Sequence, residues 1–182
     1  QLVGVKVSKA LTLIGTQTFF AALNMKQLLT TYENPTYNGT KFVLPDNITS
    51  LYYGVFSGLR QITDFVVNAG SVTSQKYQVR NNVLYARAAS ETNYSIAYVY
   101  PAGRRDTVVS LDTYTQKLAD FCFVDNITNE KSLNIPYTVT EIGLQAVAYN
   151  YINKIVIGDA ANGSNLTTIG NSAFYKNSGN NY

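Results

Sequence analysis

The stretch NIPYTVTEIG, from Asn134 to Gly143, has a near twin in VLPDNITSLY, from Val43 to Tyr52. Both stretches place an apolar residue, a proline and two further apolar residues at the same spacing. Internal similarity of this kind marks repeat architectures, in which each small unit buries its apolar face against its neighbours. The two similar stretches therefore predict a solenoid that contains further copies of the same pattern.

Five copies of the pattern align on an apolar anchor residue, which is followed five positions later by a second apolar residue. The anchors, spaced 37, 67, 24 and 27 residues apart, are Ile14, Leu51, Leu118, Ile142 and Ile169. The residues five positions later are Phe19, Phe56, Phe123, Val147 and Phe174. We expect each set to form a buried ladder, and the segment after each anchor to form a single turn of helix or 3₁₀ helix.

Upstream of the anchors, pairs of apolar residues alternate with other residues, which is the pattern of a half-buried strand. The pairs are Val5/Val7, Phe42/Leu44, Phe65/Val67, Val109/Leu111, Leu133/Ile135 and Ile155/Ile157. Two insertions interrupt the repeat, a loop at residues 30–40 and a segment of about residues 68–105. The second holds the β-prone stretches YQVRNNVLYA and YSIAYVYPAG, which predict a β-hairpin or long arm built on the stack.

The length, charge and composition of the chain exclude several classes of protein. A length of 182 residues suits one domain, 1–182, and a formal charge of +3 without a Lys/Arg run gives no basis for nucleic-acid binding. No apolar run is long enough for membrane insertion by this segment. The chain has no His and one Cys, Cys122, which we expect to be buried.

These absences also bear on chemistry. Without His, neither a Ser-His-Asp site nor a His-ligated zinc is available, and no phosphate-binding glycine motif is present. We therefore predict no catalytic residue, no cofactor, no metal and no enzymatic activity. The stretch DNITNE, Asp125 to Glu130, offers oxygens to calcium, but a solvated turn is the preferred interpretation.

The repeat and its insertion together resemble a known family. SLNIPYTVTEIGLQAV (Ser132–Val147), NLTTIGNSAF (Asn165–Phe174) and the insertion NNVLYA…AYVYPAG are similar to the BspA-like leucine-rich-repeat cell-surface proteins. The resemblance implies an α/β, β-rich solenoid, a leucine-rich-repeat right-handed superhelix with short parallel strands, helical or 3₁₀ turns and an inserted β-hairpin. It also implies an extracellular or cell-surface location and a role in adhesion.

Candidate contact residues follow from the predicted strands. Between the inward pairs lie Lys6, Val43, Val66, Ser110, Asn134 and Val156, which should face outward unless the hairpin or an inserted loop covers them. The hairpin carries the combination of Tyr and Arg that is common at interface hot spots, although these tyrosines could equally pack the hairpin onto the solenoid. The candidate partner-binding residues are Val43, Val66, Asn134, Val156, Tyr85, Tyr98, Tyr100, Arg104 and Arg105.

Three functional hypotheses follow. The first is a non-enzymatic surface domain that binds an extracellular or host-surface protein, such as a matrix protein. The second is a structural spacer within a longer surface protein, which predicts a uniformly polar surface. The third is a glycan-binding module, which requires an exposed aromatic platform and is suggested by the fifteen Tyr residues.

Overall fold

The computed structural model describes residues 2–20, 22–29, 40–126 and 131–177. These residues form short β-strands and a single 3₁₀ turn, Thr73–Gln75, and they include no helix with the length and apolarity needed to cross a membrane. The strands lie on two sides of a β-solenoid of about five turns, which confirms the predicted fold class. The predicted loop at residues 30–40 lies outside the described residues, apart from Thr40.

Seven strands form what we call the front side, and every pairing among them is parallel. They are β1 (Gly4–Lys6), β3 (Gln27–Leu29), β4 (Lys41–Val43), β6 (Asp64–Val66), β10 (Val108–Ser110), β12 (Lys131–Ile135) and β14 (Ile152–Ile157). They pair as β1–β3, β4–β6 and β10–β12–β14. Six of these strands were predicted, whereas β3 was missed because Leu28 and Leu29 are adjacent and break the alternation.

Five strands of two residues carry the anchors and form the back side. They are β2 (Leu13–Ile14), β5 (Ser50–Leu51), β11 (Lys117–Leu118), β13 (Glu141–Ile142) and β15 (Thr168–Ile169). Four anchors are buried, but Ile169 is 55% exposed, so the prediction of a fully buried ladder is wrong at its last member. The reason is that no strand among the described residues covers the outer side of β15.

The segment after each anchor is a non-helical turn, which corrects the predicted helical or 3₁₀ turn. The residue three positions after each anchor has a positive φ, and these residues are Gln17, Gly54, Phe121, Gln145 and Ser172. Most non-glycine residues avoid this region. Backbone hydrogen bonds between successive turns, such as Phe123 N to Ala146 O and Val147 N to Ala173 O, offset the strain.

The glycine that follows an anchor permits close stacking of successive coils. A Cβ at Gly143 would lie 2.3 Å from Asp120 Oδ1 and 2.8 Å from Asp120 N, distances that real Cβ atoms do not adopt. At this position Asp120 Oδ1 accepts a hydrogen bond from Leu144 N at 2.8 Å. Glycine is therefore a packing requirement at Gly143 and likewise at Gly170, where a Cβ would lie 2.6 Å from Gly143 C, but not at Gly15, where the nearest atom would be 3.6 Å away.

The insertion forms a three-stranded antiparallel meander of β7 (Tyr77–Arg80), β8 (Val83–Ala86) and β9 (Ile96–Val99). Its third strand, β9, pairs in parallel with β11 and so extends the back side into the insertion. The result is one six-stranded sheet with the order β15–β13–β11–β9–β8–β7. A hairpin is therefore present in the insertion, but it is built into the solenoid and does not project as an arm.

The meander separates two hydrophobic cores. All four residues of β8 are buried, and they alternate between the cores. Leu84 and Ala86 pack into the core that contains Phe42 and Phe56, whereas Val83 and Tyr85 pack into the core of Leu118 and Ile142. A strand buried on both faces is apolar at every position, which is why VLYA shows no alternation of apolar and polar residues.

Tyrosine hydroxyls replace strand pairing where the meander meets the N-terminal coils. Leu51 N donates a hydrogen bond of 2.7 Å to Tyr77 Oη, and Tyr98 Oη donates to Leu51 O. The main-chain groups of β5 that would pair with a following coil are thus satisfied by side chains. On the other side of the meander, Asp112 N donates to Tyr85 Oη at 2.9 Å.

A buried lysine links the segment after the meander, residues 101–104, to the C-terminal coils. Lys131 is 2% exposed, and its Nζ donates to Asn126 Oδ1 at 2.5 Å and to Arg104 O at 3.3 Å. Asn126 in turn donates from Nδ2 to Pro101 O at 2.9 Å. Burial lowers the pKa of Lys131 to about 8, because the ammonium loses hydration that its polar contacts replace only in part.

We expect Tyr98→Phe to lower the free energy of unfolding by about 1–3 kcal/mol, since it leaves the buried carbonyl of Leu51 without its hydrogen-bond donor. Urea denaturation measures the change. Tyr114→Phe is the control, because Tyr114 is 62% exposed, and its effect should stay within about 0.5 kcal/mol. Equal stabilities of the two variants would show that the tyrosine hydroxyl does not support the junction.

We also expect the free energy of unfolding to rise between pH 8 and 9.5, relative to Lys131→Met. In this window the folded chain loses the Lys131 proton at a pKa of about 8, whereas the unfolded lysine keeps it up to about pH 10.4. The unfolded state then binds more protons, so stability rises with pH by at most about 1.4 kcal/mol per unit. Urea denaturation at a series of pH values checks this, and parallel profiles for the two proteins would contradict it.

Candidate functional site

The outward residues of the front side form rows across the paired strands. Ser110, Asn134 and Val156 are in register on β10, β12 and β14, and Val43 is in register with Val66 on β4 and β6. Val43 and Val156 are 43% and 37% exposed, respectively, whereas Val66 and Asn134 are half-buried. These outward residues therefore form an accessible surface in which apolar positions lie among polar ones. We call this surface, formed by Val43, Val66, Ser110, Asn134 and Val156, the valine strip.

Sequence reasoning missed Val108, which is 56% exposed on β10. It lies one position before the buried Val109 and is in register with Ser132 on β12. The alternation around Val109 makes both of its neighbours outward-facing. The residue between the inward pair Val109/Leu111 is Ser110, so the alternation singles out Ser110 and not Val108.

The three hairpin tyrosines predicted to contact a partner are buried, which corrects that prediction. Tyr85 has no exposed surface, Tyr98 is 7% exposed and Tyr100 is 2% exposed. Each hydroxyl has an internal partner, and that of Tyr100 donates to Asp106 Oδ2 at 2.7 Å. Tyr85 and Tyr98 lie on β8 and β9 between two cores, and Tyr100, which follows β9, packs into the core of Leu118 and Ile142. The alternative that these tyrosines pack onto the solenoid is therefore the correct one.

The two candidate arginines differ in their surroundings. Arg104 is half-buried and binds Asp106 through Nε at 2.6 Å and Asp64 through Nη1 at 3.0 Å, so its guanidinium is committed within the chain. Arg104 lowers the pKa of the Asp106 carboxyl, which also accepts from Tyr100. Arg105 is exposed. It remains a candidate for contact with a partner.

The front side is interrupted between β6 and β10, which do not pair. Beside β6 the interruption opens into a groove of about 490 Å³, lined by Phe65–Val67 and by Tyr77–Val79 of β7. Immediately before β6, Thr63 O accepts a hydrogen bond from Arg104 Nη1 at 3.1 Å. We call this cleft the front groove.

A second cleft lies on the back side, between β5 and the meander. Its volume is about 310 Å³, and its lining consists of Tyr52, Tyr53, Tyr77, Tyr98, Leu51, Thr49 and Ser50. Tyr52 and Tyr53 are 51% and 36% exposed, and the ring centroids of Tyr53 and Tyr98 are 5.5 Å apart. We call this cleft the tyrosine cleft.

The described residues contain no cluster of three or more His, Cys, Asp or Glu side chains suited to a metal ion. Asp125, which opens the stretch considered for calcium, pairs with Arg60 at 2.6 Å, and Asn126 is buried, so these two residues are not part of a solvated turn. Residues 127–130 lie outside the described part. Cys122 is buried as predicted, and burial raises the pKa of its thiol.

Known structures share this fold. The crystal structure of the pneumococcal vaccine antigen PcpA matches 97% of the chain with a TM-score of 0.71 at 19% identity. A leucine-rich cell surface protein from Faecalibacterium prausnitzii A2-165 matches 96% with a TM-score of 0.54 at 16% identity. The chain covers 43% of the length of each, and no curated protein matches it.

A family model supports the resemblance over the C-terminal coils. The model of the BspA type leucine-rich repeat region (6 copies) matches residues 106–181, which begin directly after the meander. The anchors Leu118, Ile142 and Ile169 all lie in this range. The predicted resemblance is confirmed, and residues 106–181 carry leucine-rich repeats of the BspA type.

Proposed function

We propose that this chain is a non-enzymatic domain of a secreted or cell-surface protein and that it binds an extracellular protein through its front side. The observation that carries the proposal is the exposure of Val43, Val108 and Val156 on strands whose other outward residues are polar. Apolar residues interspersed with polar ones on an accessible face match the composition of non-obligate protein interfaces. The description of the Faecalibacterium prausnitzii relative as a cell surface protein supports the location.

The same observation disfavours a role as an inert spacer. A spacer needs a uniformly polar surface. Here Val43 is exposed on one side of the break between β6 and β10, and Val108 and Val156 are exposed on the other. Arg105 lies in the segment that leads into β10, where it adds a charged group close to Val108. A face that combines aliphatic residues with arginine and amide groups suits a protein surface of mixed character.

We expect Val43→Arg and Val156→Arg each to weaken binding to an extracellular-matrix protein by about tenfold or more, because a charge replaces an apolar contact. The measurement is biolayer interferometry against a panel of immobilised matrix proteins. The matched control is Leu13→Arg on β2, since Leu13 is 47% exposed on the back side. Absence of binding across the panel, or equal losses in all three variants, would count against the proposal.

The tyrosine cleft supports a second candidate function, glycan binding. The exposed rings of Tyr52 and Tyr53 provide apolar surface, and Thr49 and Ser50 line the same cleft with polar groups. Concave sites with aromatic walls and a few polar groups are the usual form of small-ligand sites. The cleft lies on the opposite side from the valine strip, so the two functions are separable.

A glycan array tests this candidate. We expect binding by the unmodified chain to be lost in Tyr52→Ala and Tyr53→Ala, because both substitutions remove an exposed wall of the cleft. Tyr114→Ala is the control, as Tyr114 is exposed outside the cleft. An array without bound glycans would remove the candidate and leave the protein-binding proposal unaffected.

A further inference from the structure

The outer edge of β6 presents main-chain groups that no strand in the described part of the chain pairs with. Val66 O accepts a hydrogen bond from Leu44 N at 2.9 Å, so the peptide groups of Val66 face β4. Successive residues of a strand direct their N–H and C=O groups to opposite edges. The N–H and C=O groups of Phe65 and Val67 therefore point away from β4, toward the front groove.

The strand on the other wall of the groove is an edge as well. β7 is the last strand of the six-stranded sheet, and Lys76 O accepts from Arg87 N at 2.9 Å on its inner edge. The same alternation directs the main-chain groups of Tyr77 and Val79 outward. Two rows of main-chain groups that lack a strand partner thus line one groove of about 490 Å³.

Neither edge contains Pro, and the charged residues of these two strands, Asp64 on β6 and Arg80 on β7, are paired within the chain with Arg104 and Asp112. Natural edges are protected by Pro, by inward-pointing charges, by bulges or by a covering loop. Phe65–Val67 contains no Pro and no charged residue, and its pairing with β4 is regular. Val67, Val79 and Tyr94 are half-buried, so their apolar atoms form the walls of an accessible groove.

We propose that the front groove binds an extended segment of a partner protein, which adds as a strand to the outer edge of β6. The rows of main-chain donors and acceptors select an extended backbone, and the walls formed by Val67, Val79 and Tyr94 select uncharged, apolar side chains. The inference rests on the proposed function in taking a protein as partner, and it specifies how that partner is held. The valine strip then lies beside the inserted strand as a second contact region.

Amide hydrogen exchange of the unmodified chain tests the premise. We expect the amides of Phe65 and Val67 to exchange quickly in the free protein, while that of Val66 is protected by its pairing with β4. Protection of Phe65 and Val67 in the free monomer would overturn the proposal. Protection that rises with protein concentration would overturn it in favour of pairing between two copies.

Selection from a phage-displayed library of random dodecapeptides tests binding itself. We expect enriched peptides to be β-prone and uncharged, and to protect the Phe65 and Val67 amides. Val67→Pro should weaken their binding by about tenfold or more, because it removes one outward N–H. Val67→Ala is the matched control, since it shortens the side chain but keeps the N–H, and it should retain most of the binding.

The outcomes separate this inference from the proposed function. No enriched peptide, or equal binding to Val67→Pro and Val67→Ala, overturns strand addition. If matrix-protein binding depends on Val43 and Val156 but not on Val67→Pro, the proposed function stands and the inference fails. If peptides bind at β6 while no matrix protein binds, strand addition stands and the matrix-protein partner is wrong.

Discussion

The burial of β8 on both faces is the constraint on which the rest of this structure depends. Alternate residues of Val83–Ala86 belong to two different cores, so the strand has to lie across the solenoid and divide it. Once it does so, neighbouring coils cannot pair directly, and their main-chain groups need other partners. The hydroxyls of Tyr77 and Tyr98 at Leu51 supply them, as does that of Tyr85 at Asp112. The tyrosine content of the insertion is therefore structural.

The turns that follow the anchors still contact one another across the meander. Ser57 Oγ donates to Phe121 O at 2.7 Å, and Arg60 binds Asp125, so the turns of the second and third copies touch although 67 residues separate their anchors. Strand pairing is interrupted on the front and back sides, whereas the turns remain stacked. This asymmetry opens a cleft on the front and another on the back. Both candidate binding sites are thus consequences of one insertion.

The repeat could be predicted from the sequence, whereas the way the insertion packs into the solenoid could not. The anchors and six of the seven front strands follow from local spacing. The structure buries the anchors and the residues five positions later, except in the last copy, where Ile169 is exposed and Phe174 is half-buried because no described strand covers the outer side of β15. The positive φ values after the anchors depend on hydrogen bonds between coils, which no local pattern reveals. Tyr85 and Tyr98 resembled interface residues in composition, and only the position of their strands between two cores shows that they are buried. Three residues before the anchor the copies have Leu11, Ile48, Thr115, Val139 and Leu166. The polar member, Thr115, is buried and its hydroxyl contacts Tyr85 Oη at 3.2 Å.

The division of the solenoid by the meander also affects how such a chain can change during evolution. The C-terminal array continues the ladder of the meander through β9 and β11, whereas the N-terminal array meets the meander through hydrogen bonds to tyrosine side chains, which do not impose the strict register of a continuous ladder. Coils can therefore be added to or lost from one array without disturbing the pairing of the other. The meander acts as an internal end cap for two arrays at once, so their lengths can vary independently while the clefts beside it keep their shape.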